Sequence, residues 1–144
     1  MEGGTDTFIF IHALWCTAGK QPLLPSVVRK VLFASLKKNA AEKGIQVLAA
    51  NGGEEHVHCL FKLMPVQAVS AVIKQLKEES LSWLNDNKLS NLLFEWENAY
   101  SAWSVSPSTL DKAIEYINKQ DEYHQHRSLE EELAAFNKMT AVKN

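Results

Sequence analysis

At 144 residues and 46% hydrophobic composition, the chain is expected to form a single domain over residues 1–144 with a core of its own. The 15 Lys and Arg against 17 Asp and Glu leave a net charge of −2, which argues against a broadly basic nucleic-acid surface and leaves only local patches for that role. Cys16 and Cys59 form no CxxC pair and read as buried thiols; with no signal peptide at Met1-Glu2-Gly3-Gly4 and no membrane-length apolar run, a cytoplasmic protein without membrane contact is expected.

Phe8 to Trp15 is a short, continuous apolar run and predicts a buried central strand, in which His12 reads as a hydrogen-bonded structural residue. Thr17 to Pro25 is a loop. Ser26 then caps a helix to about Lys43, ended by Gly44, with Val28, Val31, Leu32, Leu36 and Ala40 as its apolar stripe. Ile45 to Ala50 is a second strand, and Asn51-Gly52-Gly53 turns it into a third, antiparallel to it. After Met64-Pro65 comes a long helix bearing Val66, Val69, Ile73, Leu76, Ser80 and Trp83 on one side. Asn85 to Asn91 is loop-like. Phe94 to Val105 is a fourth strand, and Ser106-Pro107 opens another long helix. Glu130 to Phe136 forms a short helical tail, with residues 136–144 frayed. The order β-α-β-β-α-β is that of an α+β, ferredoxin-like (RRM-like) antiparallel sheet, followed here by an extra C-terminal helix.

The third strand carries the most specific pattern. Val57, Cys59, Phe61 and Leu63 alternate with His56, His58, Leu60 and Lys62. If the apolar set covers the helices, both imidazoles point to the open face, with Cα atoms about 6.5–7 Å apart, close enough to share one divalent cation. Such a pair is also common as exposed or hydrogen-bonded histidine. The surplus helix is the candidate to lie against that face. On it, Tyr116 and Gln120 are i and i+4 and share a side, with Leu110, Ala113, Ile114 and Ile117 as anchor. Taken alone, that helix reads as an ordinary amphipathic one, with Tyr116 packing and Gln120 solvated.

Together these stretches resemble the single-tyrosine HUH transposases of small insertion sequences and the related repeat-associated tyrosine transposases. The resemblance runs from about Phe8 to Phe136. It is carried by Ile11-His12 through Trp15, Asn51-Gly52, His56-Val57-His58, Lys77 through Trp83, Phe94-Glu95-Trp96, Tyr100, Ser104-Val105-Ser106 and Tyr116-Ile117-x-x-Gln120 with His124. It implies a metal-dependent transposase. Tyr116 is then the nucleophile on single-stranded or hairpin DNA, His56, His58 and Gln120 hold Mg²⁺ or Mn²⁺, and the protein is a homodimer. Lys20, Lys74, Lys77 and Arg127 are the candidate DNA contacts.

The chain departs from the family pattern where DNA-facing charge is expected. Thr17 to Gln21 retains one lysine, Glu78-Glu79 follows Lys77, and Ala99-Tyr100-Ser101 replaces a glycine-rich step. A domesticated or inactive hairpin-binding regulator on the same fold is therefore the alternative. A third reading, an unrelated metal-dependent hydrolase or a plain interaction domain, would leave Tyr116 far from His56 and His58.

Overall fold

The computed structural model describes residues 5–87, 95–120 and 128–140, the stretch 136–140 by its backbone only. Four strands, β1 (Phe10–Thr17), β2 (Gln46–Gly52), β3 (His56–Lys62) and β4 (Trp96–Val105), form one sheet in the order β2-β3-β1-β4. All three pairings are antiparallel. With α1 (Ser26–Glu42) and α2 (Val69–Asp86), this is the ferredoxin-like α+β arrangement. Among the described residues two further helices follow, α3 (Leu110–Asn118) and α4 (Leu129–Thr140).

Strand alternation divides the apolar residues between two faces. Ile11, Ala13 and Trp15 of β1 and Val57, Cys59 and Phe61 of β3 join Leu32, Leu36, Ile73 and Leu76 in the main core. The opposite face is covered elsewhere. Phe10, Ala49 and Leu60 pack beneath Ile117 of α3, and Leu14 and Cys16 beneath Leu129 of α4. Both cysteines are free and buried, and burial above all pushes the Cys59 thiol up to about 12 and Cys16 up to about 11.

Several local expectations shift. Ser26 does not cap α1: the N-cap is Pro25, extended at φ −66° and ψ 159° with no side-chain cap bond, while Arg29 Nη1 donates to the Leu24 carbonyl at 2.7 Å. Phe33 rather than Val31 completes its buried stripe, and Val31 is exposed. Gly44 ends the helix at φ +77°, as its position predicts. The second helix begins only at Val69, leaving Val66 exposed, because Gln67 ties the preceding turn to Met64 N and to the Gly44 carbonyl. Leu84 is buried on α2, with Trp83 partly so. Ser106 is the N-cap of a 3₁₀ turn, Pro107–Thr109, that leads into α3, but its side chain makes no cap bond. The helical backbone of α4 continues past Phe136 to Thr140.

Candidate metal centre and tyrosine

The centre starts from the β2–β3 hairpin. Asn51 and Gly52 end β2 rather than forming the turn, and Gly53 N donates to His56 O at 3.1 Å. The two glycines are needed by close approach. A Cβ on Gly52 would lie 2.1 Å from the His56 carbonyl oxygen, and one on Gly53 2.7 Å from His56 Cε1. The His56 ring therefore sits directly on the hairpin backbone.

Both histidines lie on the face opposite α1 and α2, fully buried, with ring centroids 5.1 Å apart. Their outer nitrogens are engaged in parallel fashion. His56 Nδ1 is 2.8 Å from Glu55 Oε1, and His58 Nδ1 is 2.7 Å from His12 Nε2. A proton on each Nδ1 leaves each Nε2 as a lone-pair donor turned toward the centre, the arrangement by which second-shell partners set the tautomer of metal-binding histidines. His12 suits the acceptor role. Burial first, and then His58, pull its pKa down to about 3 against the opposing pull of Glu132, so it is neutral.

α3 brings the rest. Ile117, fully buried, anchors it on Leu60 and Ala49, while Asn51 Nδ2 donates to the Asn118 carbonyl at 3.2 Å. Gln120 is fully buried with Oε1 3.5 Å from His56 Nε2. The Tyr116 ring stands edge-on to His58 at 5.9 Å between centroids. The structure thus brings His56, His58, Tyr116 and Gln120 into one cluster.

Glu132 of α4 is the member that sequence reasoning missed. Its Oε1 lies 2.8 Å from His58 Nε2, accepts from Gln120 Nε2 at 3.2 Å and accepts from the Tyr116 hydroxyl. One ligand atom each from His56, His58 and Glu132 falls within 4.8 Å of the others. Two imidazole nitrogens, an amide oxygen and a carboxylate oxygen so grouped fit a divalent ion. In sequence, Glu130-Glu131-Glu132 looks like a solvated acidic turn, and nothing local singles out its third member. For His12 a signal did exist, since strand parity puts it on the same face as the β3 histidines.

The lysines lie apart from this cluster. Lys20 is exposed in the turn after β1. Lys74 and Lys77 belong to α2, under the other face of the sheet, and line a groove of about 650 Å³ with Ile73, Leu81, Trp96 and Tyr100. Lys77 Nζ donates to the Glu97 and Asn98 carbonyls there. Arg127 and His124 lie outside the described residues.

Among proteins of known description, the chain is 28% identical over 114 residues to the ISDra2 transposase TnpA of Deinococcus radiodurans, covering 76% of this chain and 81% of that one. A crystal structure from Deinococcus radiodurans R1 described as a transposase shares the fold with TM-score 0.65 at 21% identity, over 83% of this chain and 96% of that one. A REP-associated tyrosine transposase bound to a REP hairpin shares it with TM-score 0.59 at 14% identity, over 86% and 74%. The model of the IS200-like transposases matches residues 7–120, which span the whole sheet, the histidine pair and the tyrosine helix, and the chain belongs to that family.

Proposed function

We propose that the protein is a metal-dependent enzyme that nicks and rejoins single-stranded DNA beside hairpins, with Tyr116 as nucleophile. The observation that carries this reading is the convergence of Tyr116 on α3 and Gln120 just beyond its end with His56 and His58 from β3 around one buried centre. His56, His58 and Gln120 would hold Mg²⁺ or Mn²⁺, with the Glu132 carboxylate supplying the anionic oxygen that hard cations prefer. When bound, the ion polarises phosphoryl oxygens and offsets the charge that builds up on them.

The step itself is balanced within protein and DNA. The Tyr116 oxygen bonds to phosphorus as the bond from phosphorus to the 3′ oxygen breaks. The phenol gives up one proton and the departing 3′ oxygen gains one. The products are a 5′-phosphotyrosine and a free 3′-OH. Because one phosphodiester replaces another, a second 3′-OH can reverse the step and complete strand transfer.

Lys20, Lys74, Lys77 and Arg127 are the proposed phosphate contacts. Lys74 and Lys77, being under the other sheet face, would hold flanking DNA rather than the scissile phosphate. We further propose a C2 homodimer joined through β4, an edge strand with exposed Tyr100.

The test is incubation of full-length protein with a doubly end-labelled single-stranded hairpin and Mn²⁺ or Mg²⁺. A 3′-OH fragment and a covalent adduct on the other fragment are expected, and Tyr116→Phe should abolish the adduct while leaving hairpin binding within about twofold, since phosphate contacts dominate affinity. An adduct that survives Tyr116→Phe would assign the nucleophile elsewhere, with Tyr123 tested next. Tight hairpin binding without cleavage under any divalent ion would favour the regulator reading, for which the net charge of −2 and Glu78-Glu79 speak.

A further inference from the structure

We infer that Glu132 is a positioning residue for the Tyr116 hydroxyl, holding it beside the ion position through the same carboxylate oxygen that serves the ion. This rests on the nicking reading and deepens it.

The first argument is convergence on one atom. Glu132 Oε1 accepts the Tyr116 hydroxyl, accepts Gln120 Nε2 at 3.2 Å and lies 2.8 Å from His58 Nε2. The second is burial: Glu132 is only 2% exposed. A carboxylate so placed is strongly unfavourable unless hydrogen-bond donors or a cation compensate it, and here the compensating groups are those of the centre.

The third argument is how the residue gets there. Leu129 and Leu133 share a helical side with Glu132 and pack on Leu14, Cys16 and Trp103 at the β1 end of the open face. That apolar anchor sets the height of Glu132 above the sheet. The fourth concerns charge. The family match ends at residue 120, and His56, His58 and Gln120 within it offer only neutral donor atoms. The anion comes from α4, beyond the matched segment.

Positioning has a direct chemical return. A phenol on a half-buried helix face can turn about two side-chain bonds, and every orientation away from phosphorus is unproductive. Tying its oxygen to a buried acceptor beside the ion confines it near the attacking geometry.

Full-length wild type, Glu132→Gln, Glu132→Ala and Tyr116→Phe are compared in two measurements, with circular dichroism as the folding control. Mn²⁺ affinity is read without DNA from the EPR signal of the free ion. Adduct formation on the hairpin is timed at saturating Mn²⁺. Glu132→Ala is expected to weaken Mn²⁺ binding about tenfold or more, and Tyr116→Phe to leave it within about twofold. At saturating ion, Glu132→Ala should still form the adduct at least about tenfold more slowly than wild type, because the hydroxyl is no longer held. Glu132→Gln should recover part of that rate, since its amide oxygen still accepts the phenol hydrogen bond.

Glu132→Ala working at or above the wild-type rate at saturating Mn²⁺ overturns the inference, since the carboxylate would then be idle or obstructive. Should Glu132→Ala not fold, Glu132→Gln decides: unchanged Mn²⁺ affinity together with an unchanged rate overturns it. Wild type that forms no adduct sinks the nicking reading and the nucleophile positioning with it; the Mn²⁺ titrations then report separately on the carboxylate as an ion donor.

Discussion

Gly53 lies directly against the His56 ring, with a would-be Cβ 2.7 Å from the ring's Cε1 and 3.1 Å from its Nδ1. Gly53→Ala should therefore push the imidazole off its line to Gln120 while leaving the β2–β3 ladder intact. Mn²⁺ affinity is expected to fall about tenfold with little change in circular dichroism; an unchanged titration would show that the ring is not held by the hairpin. His12 gives a second residue-scale prediction. Its folded pKa of about 3 lies below the ordinary 6.5, so the folded chain refuses a proton that the unfolded chain accepts. That contribution to stability is present above pH 6.5 and is lost progressively as pH falls from 6.5 toward 3. The urea midpoint, measured with chelator, should drop between pH 7.5 and 5, and His12→Gln should flatten the drop.

The elements hold the centre by packing more than by local propensity. α3 is short, nine residues, and would be marginal in isolation. Its buried contact is Ile117 against Phe10, Ala49 and Leu60. Ile117→Ala should cost about 2–4 kcal/mol of unfolding free energy and loosen Gln120, weakening Mn²⁺ binding in the same protein. Full stability loss without any change in ion affinity would mean that Gln120 is held by something other than the end of α3. On the other face, the polar residue in the α2 stripe has a clear task. Ser80 Oγ and the Lys77 carbonyl both accept the Trp96 indole N–H, at 3.2 and 3.1 Å, while Trp96 stands edge-on to Trp15. This locks the start of β4 onto α2.

For the whole molecule, one chain contains the tyrosine, both histidines and Gln120 in a single cluster, so the nucleophile should act in cis. Mixing Tyr116→Phe with His58→Ala protein should not regenerate the adduct. Recovery toward half the wild-type yield would instead show exchange of tyrosine helices between subunits. Sedimentation should show a dimer at micromolar concentration, and a monomer would remove the β4 edge as an interface. The four tryptophans are largely absorbed within the chain, since Trp15 and Trp96 are buried and Trp83 and Trp103 partly so. Among the described residues no helix is long and apolar enough to cross a membrane.

The sequence by itself determined the element order, the sheet faces and the histidine pair, because strand alternation and helical spacing are local periodicities written directly in residue order. Val57, Cys59 and Phe61 against His56 and His58 needed nothing else to be sorted. Tyr116 and Gln120 were marked as neighbours by an i, i+4 step and as a possible site by resemblance. Only the tertiary structure decided what joins them. Glu132 is distant from His58 in the chain and sits in an acidic triplet, and its burial depends on Leu129 and Leu133 finding the far end of β1. Helix starts moved for a similar reason: Arg29 bonds back to Leu24 across the Pro25 cap of α1, and Gln67 ties the turn before α2 to Met64 and Gly44. Such long-range packing and hydrogen bonding leave no periodic trace, so the carboxylate that completes the centre is visible only once the chain is folded.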